Sequence, residues 1–324
     1  MHRTSRILLS AIATLSLLVA APGLASARTS PPPSAALSAG TEVLPIFRGH
    51  TQDAGHGRSA RNNLSSHGGA IQQTPKVYIS WWGPEWTSGF STGGYSSTAA
   101  RTYNTDFFTN VGGSAWNNVV KQYCQNVPSG TQKCSTVAGA KYITNLPGQL
   151  AGTWNDTTAV PASPTQSQIA AAAIRLQGHF GALNPNATYM VYTPTGKSMN
   201  GFGTQWCAWH SSTTVAAGPL AYAYIPYLPD AGASCGMNFI NPTNPGDTYG
   251  NGYFDGFSVV AGHEYSEAET DPFPNSGWVD RQGAENADKC AWSASSGNVT
   301  LGSHVYAVQP TWSNAIGGCA MSAT

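Results

Sequence analysis

Three apolar runs along the chain have the composition of buried strands. The first, Lys76 to Trp82, is rich in β-branched and aromatic residues and stops at Gly83-Pro84, a typical strand ending. Similar runs occur from Thr188 to Thr193 and from Leu220 to Tyr227. Each run predicts one strand of a sheet.

Helical patterns alternate with these strands. The stretch from Gln166 to Phe180 is alanine-rich, with apolar residues three and four positions apart, and shorter helices are predicted at Thr98 to Asn110 and Ser114 to Tyr123. Strands alternating with helices over about 250 residues predict one α/β domain, with a mixed α+β arrangement as the alternative.

The pattern changes ahead of residue 76. Residues 1–27 combine basic residues, an apolar stretch from Ile7 to about Ala21 and the ending Ala25-Ser26-Ala27, which predicts a secretory signal peptide. Residues 28–75 are rich in Pro, Ser and Gly and have no hydrophobic period, so they predict a disordered leader or propeptide. We therefore expect a secreted, extracellular protein whose folded domain spans residues 76–324.

The cysteine count agrees with secretion. Six cysteines are an even set, and disulfides persist in oxidising compartments. Short loops are the cheapest to close, so pairing between sequence neighbours is expected: Cys124 with Cys134, Cys207 with Cys235, and Cys290 with Cys319.

Charge narrows the classes of partner. The chain has 15 basic and 15 acidic residues and is only 9% charged, against roughly 25% for an average soluble domain. A basic surface for nucleic acid or membrane is therefore not expected. We expect a monomer that acts on a peptide or protein substrate.

The strongest chemical signal lies in a predicted helix at residues 254–271. Asp255 is a candidate N-cap, and Pro272 predicts the stop. At about 100° per residue, His263 and Glu267 lie one turn apart on the same helix face. Two such side chains can bind one metal ion.

This segment resembles the thermolysin-type gluzincins, in which H-E-x-x-H supplies two zinc ligands and a base. The fifth position here is Glu267, a departure that favours harder ions over zinc. The resemblance implies one Zn²⁺ or another divalent ion bound by His263, Glu267 and Glu285. It also implies that Glu264 is the general base. Asp271 or Asp288 would either contact a metal ligand without binding the ion or replace Glu285 as the third ligand.

His210 is a further candidate. It closely follows Cys207, whose disulfide would fix it near a strand edge. By the same resemblance it is a catalytic electrophile that stabilises the oxyanion, or an extra ligand. A packed polar histidine is the alternative interpretation.

A second resemblance covers more of the chain. The layout is similar to the plant phosphate-induced, exordium-like family and its bacterial relatives, on residues that include Trp81-Trp82-Gly83, Cys207-Ala208-Trp209-His210 and Thr270-Asp271-Pro272-Phe273. The plant members lack the His and Glu pair, which implies that the fold can exist without the chemistry.

The sequence thus predicts a secreted metal-dependent peptidase. The first alternative is a non-catalytic extracellular, cell-wall or carbohydrate-associated protein, with its tryptophans and tyrosines as stacking surfaces. The second is a serine hydrolase, based on the G-x-S-x-G match at residues 89–93, a weak pattern in a glycine-rich chain.

Overall fold

A six-stranded mixed sheet organises the protein in this computed structural model, which describes residues 37–38, 40–49 and 62–324. In chain order the strands of these residues are β1 (Thr41–Pro45), β2 (Ser65–Ser66), β3 (Lys76–Trp82), β4 (Ser91–Thr92), β5 (Tyr95–Ser96), β6 (Cys124–Gln125), β7 (Lys141–Tyr142), β8 (Leu150–Asp156), β9 (Ala187–Tyr192), β10 (Trp206–Val215), β11 (Gly218–Ile225), β12 (Trp278–Val279), β13 (Gly297–Leu301), β14 (His304–Val308), β15 (Thr311–Ser313) and β16 (Gly318–Ala320). The large sheet has the order β1-β10-β11-β9-β3-β8. Strands β11, β9, β3 and β8 run parallel to one another. Strand β10 is antiparallel to both of its neighbours, β1 and β11.

The helices lie on both faces of this sheet. The α-helices of the described residues are α1 (Glu85–Ser88), α2 (Ser97–Asn110), α3 (Gln166–Phe180) and α4 (Asp255–Thr270), and the 3-10 helices are Asn117–Gln122, Cys134–Thr136, Leu228–Cys235 and Asp288–Cys290. Helix α3 packs on one face, and α2 and α4 pack on the other.

Strand β9 shows how the sequence builds these two layers. Its side chains alternate, as a pleated strand requires, so Tyr189 and Val191 join the core beneath α3. Met190 and Tyr192 join the core beneath α2 and α4. Both faces are covered, which explains why the strand is apolar throughout rather than alternating with polar residues.

Helix α4 is buried along its whole length between the sheet, α2 and β14. Two glycines allow this close packing. A Cβ on Gly262 would lie 3.3 Å from the rings of Phe107 and Trp116, and one on Gly256 would lie 2.3 Å from the Cys235 carbonyl oxygen. The polar side chains of α4 therefore face protein on every side.

Most predicted elements are found close to their expected positions. The described residues form a single domain of mixed α+β type, and β3 and α3 have the predicted bounds. The stretch predicted as a helix at residues 114–123 forms instead a 3-10 helix at Asn117–Gln122. Asp255 is the first residue of α4 and caps no helix amide; its carboxylate accepts hydrogen bonds from the backbone of Ile240, Asn241 and Gly252.

The leader prediction differs from the structure over residues that the structure describes. Strand β1 forms the edge of the large sheet, with Leu44 fully buried. Strand β2 pairs with β12, and Leu64 and Ile71 are buried. These apolar positions belong to short, separate runs, so they produce no sustained hydrophobic period. The predicted signal peptide, residues 1–27, lies outside the described residues.

The three disulfides have the predicted pairing. Bonds join Cys124 to Cys134, Cys207 to Cys235 and Cys290 to Cys319. Over the described residues, no helix has the length and apolar character needed to cross a membrane.

Candidate metal centre

Helix α4 presents His263, Glu264 and Glu267 towards the sheet and the loop that follows β12. All three side chains are inaccessible to solvent. His263 Nε2 lies 3.0 Å from Glu267 Oε1, the contact expected of residues one turn apart. The helical spacing thus brings a histidine and a carboxylate together as predicted.

Strand β10 adds His210 from the sheet above α4. Its Nδ1 lies 3.2 Å from Glu264 Oε2 and 3.5 Å from Glu267 Oε2, while its Nε2 lies 3.3 Å from Glu285 Oε2. In the antiparallel register of β1 and β10, His210 is opposite Glu42. Because directly opposed residues share a sheet face, Glu42 lies beside the same cluster.

The loop after β12 contributes Glu285 and Asp288. Asn286 fixes this loop on α4, since its Nδ2 donates to the Ser266 carbonyl at 2.7 Å and to Thr270 Oγ1 at 2.8 Å. Asp288 N donates to Glu267 Oε1 at 2.9 Å. These bonds place Asp288 Oδ1 3.6 Å from His263 Nε2.

The ligand atoms form two groups with the geometry of a metal site. The first donor group consists of His263, Glu267 and Asp288, and the second donor group consists of His210, Glu264 and Glu267. Within each group the ligand atoms all lie within 4.8 Å of one another. Glu267 belongs to both.

Several of these atoms have no hydrogen-bond partner among the residues described. They are His263 Nε2, His210 Nε2, Glu264 Oε1, Glu267 Oε2 and both oxygens of Glu285. A buried polar group without a partner costs about 1–3 kcal/mol, and more when it is charged. Their convergence on one small volume makes this cluster a candidate site for a cation.

The electrostatics of the cluster agree with this interpretation. Burial, followed by the charge of Asp288, raises the pKa of Glu267 to about 7, and burial raises the pKa of Glu285 well above its ordinary value. Burial alone would lower the pKa of His210, but the hydrogen bond with Glu264 and nearby carboxylates raise it to about 9. The carboxylates thus need positive charge, supplied by protons or by a metal ion.

Residues around the cluster orient its members. Gln309, directly after β14, donates from Nε2 to the Ala287 carbonyl at 2.8 Å, which turns its Oε1 towards His263 Nδ1 at 3.2 Å. That contact places the proton of His263 on Nδ1 and leaves Nε2 free to bind a metal. Asp271 accepts backbone hydrogen bonds from Asn275 and Gly277 at 2.7 Å, so it holds the loop rather than an ion.

The structure brings most of the predicted site residues together. Glu285 lies beside His210, and Asp288 rather than Glu285 lies beside His263. Gln309 and Glu42 were missed, because neither lies in a motif and the fold alone brings them near α4. Ser91 of the G-x-S-x-G match lies exposed in the β4-β5 hairpin, without the strand-turn-helix context that a nucleophile needs.

Comparison with family models, with curated proteins and with solved structures gave no match.

Proposed function

We propose that this protein is a secreted metal-dependent hydrolase, and that its substrates are peptides. The proposal depends on the first donor group, in which His263, Glu267 and Asp288 converge. Among the described residues, Nε2 of His263 has no hydrogen-bond partner. Two carboxylates and one imidazole suit zinc, and they also suit a harder ion such as Mn²⁺. The three disulfides support an oxidising, extracellular location.

A divalent ion in this group would supply a Lewis acid that lowers the pKa of water and polarises a carbonyl. Glu264 is next to the group, with Oε2 held by His210 Nδ1 and Oε1 unpartnered. We assign Oε1 to accept the proton of the attacking water as its oxygen bonds to the carbonyl carbon. The same atom then delivers that proton to the leaving amine as the C–N bond breaks.

Substrate must approach from the side of Asp288. Its side chain is 20% exposed, whereas those of His263 and Glu267 are 0% and 1% exposed. Asp288 is therefore the ligand nearest to solvent. Because His263 and Glu267 are buried away from solvent, one alternative is a structural metal centre in a non-catalytic extracellular protein of the exordium-like type.

The experiment compares zinc content and peptide hydrolysis in the full secreted chain. Zinc would be removed by a chelator and restored, with casein and quenched fluorescent peptides as substrates. Restored activity supports the hydrolase, whereas restored thermal stability without hydrolysis supports the structural centre. A chain that binds no divalent ion at micromolar concentration contradicts both.

Two variants separate catalysis from metal binding. Glu264→Gln should keep zinc in the first donor group while activity falls by about a hundredfold or more, the range for loss of a general base. Asp288→Asn should weaken zinc binding and lower activity together. Glu269→Gln is the matched control, because Glu269 is a buried acid of α4 outside both donor groups; it should keep both properties.

A further inference from the structure

Glu267 faces two histidines at once. Its Oε1 lies 3.0 Å from His263 Nε2, and its Oε2 lies 3.5 Å from His210 Nδ1. One carboxylate thus presents each oxygen to a different imidazole. This is the arrangement of a carboxylate that bridges two metal ions.

The spacing within each donor group is close to the spacing of ligands around one ion. Ligands bound at about 2.0–2.2 Å in a tetrahedron lie about 3.3–3.6 Å apart. In the first donor group, His263 Nε2 is 3.0 Å from Glu267 Oε1 and 3.6 Å from Asp288 Oδ1. In the second, His210 Nδ1 is 3.2 Å from Glu264 Oε2 and 3.5 Å from Glu267 Oε2.

Both histidines have an oxygen atom near the ring nitrogen that would not bind an ion, although only His263 makes a hydrogen bond there. His263 Nδ1 faces Gln309 Oε1 at 3.2 Å, and His210 Nε2 lies 3.3 Å from Glu285 Oε2. Metal-binding histidines usually direct the second nitrogen to such an acceptor, which fixes the tautomer. In this arrangement Glu285 lies beside the second nitrogen of His210 and outside both donor groups.

Two divalent ions would also balance the charge of the cluster. Glu264, Glu267, Glu285 and Asp288 carry four negative charges when ionised, and a single divalent ion would leave two of them without compensation. In the part of the chain that the structure describes, the ion pairs of Lys and Arg lie elsewhere, Lys289 with Asp280 and Arg175 with Asp156. Uncompensated buried charge is costly.

We propose that the site holds two divalent ions bridged by Glu267, the first in the first donor group and the second bound by His210 and Glu264. The inference rests on the proposed function for its first ion only. Glu264 binds the second ion through Oε2, and Oε1 remains available to accept a proton. A bridged pair of this type lies about 3.5–4 Å apart.

The test is the number of Zn²⁺ ions bound per chain, measured by native mass spectrometry and elemental analysis during titration of the chelated full chain. The wild type should bind two ions. His210→Gln and His263→Gln should each bind one, and Glu269→Gln should bind two. A wild type that binds one ion, which His210→Gln retains, would overturn the second site and leave the proposed function standing.

A measurement on the unmodified chain keeps the test valid if a buried histidine variant fails to fold. Loaded with Mn²⁺, the wild type should give the spin-coupled electron paramagnetic resonance spectrum of two ions that share a carboxylate. A spectrum of isolated Mn²⁺ at saturation contradicts the bridge. Binding of no ion at all would instead remove the proposed function as well.

Discussion

Glu267 and Glu269 are two residues apart on α4 and show how neighbouring acids acquire different roles. Burial is the largest cause of the raised pKa at both, to about 7 for Glu267 and about 8 for Glu269. Glu267 faces two histidines and Asp288 N, whereas Glu269 accepts a hydrogen bond from Asn117 Nδ2 at 3.0 Å and lies beside Tyr265. The first acid has the surroundings of a metal ligand, and the second has those of a protonated core residue.

Because burial raises the pKa of Glu269, we predict that the stability of the protein depends on pH. Its pKa is about 8 in the folded chain against 4.5 in the ordinary carboxyl. Between these values the folded state holds a proton that the unfolded chain has released, so stability falls as the pH rises, by at most about 1.4 kcal/mol per pH unit. Chemical denaturation of chelated protein between pH 5 and pH 8 measures this slope.

Glu269→Gln provides the control for this slope. The amide keeps the shape of the protonated acid and cannot ionise, so the variant should lose less stability than the wild type as the pH rises. If the free energy of unfolding falls equally with pH in the two proteins, Glu269 is ionised in the folded state.

At the level of elements, α4 depends on glycine for its close contact with the 3-10 helix at Leu228–Cys235. A Cβ on Gly256 would lie 2.3 Å from the Cys235 carbonyl oxygen, a backbone atom that cannot rotate away. Gly256→Ala should therefore lower the free energy of unfolding by about 1–3 kcal/mol.

Gly178→Ala is the matched substitution in α3. A Cβ there meets no atom within 4 Å, and alanine favours a helix over glycine by about 0.5–1 kcal/mol. Denaturant unfolding should show opposite signs for the two variants. Unchanged stability of Gly256→Ala would contradict the packing described for α4, and destabilisation by Gly178→Ala would contradict the open space at that position of α3.

The elements also show which parts of the site the sequence could predict. His263 and Glu267 could be predicted because helix geometry brings residues four positions apart onto one face. Glu264 could be predicted because it directly follows His263 in the motif. The choice between Glu285 and Asp288 beside His263 depends on how the loop lies against α4, which Asn286 fixes through bonds to Ser266 and Thr270. No local pattern encodes that placement.

Residues 28–75, predicted as a disordered leader, also show that local patterns do not encode long-range pairing. Strand β1 pairs with β10 more than 160 residues away in the chain, as Thr41 opposite Ser211 shows. Its composition predicts disorder, because four or five residues at a sheet edge carry too short a pattern to be recognised among Ser, Gly and Pro. Glu42 reaches the cluster around His210 only through this long-range pairing.

In the whole molecule, the cluster combines side chains from β10, α4, and the loop after β12, and Cys290–Cys319 ties that loop to β16. Asp288 is two residues before Cys290. Loss of this bond by Cys290→Ser with Cys319→Ser should lower stability by about 2–4 kcal/mol. The freed loop should also weaken zinc binding, because Asp288 would no longer be held near His263.

The Cys124–Cys134 bond is the control for this last effect. It closes a shorter loop, with a sequence separation of 10 against 29, and neither cysteine adjoins a residue of the two donor groups. Its removal by Cys124→Ser with Cys134→Ser should lower stability within the same range and leave zinc affinity unchanged. Thermal unfolding and competition with a zinc chelator measure the two properties separately. If both pairs of substitutions reduce zinc affinity equally, the metal centre responds to global stability, and the Cys290–Cys319 bond has no specific role in positioning Asp288.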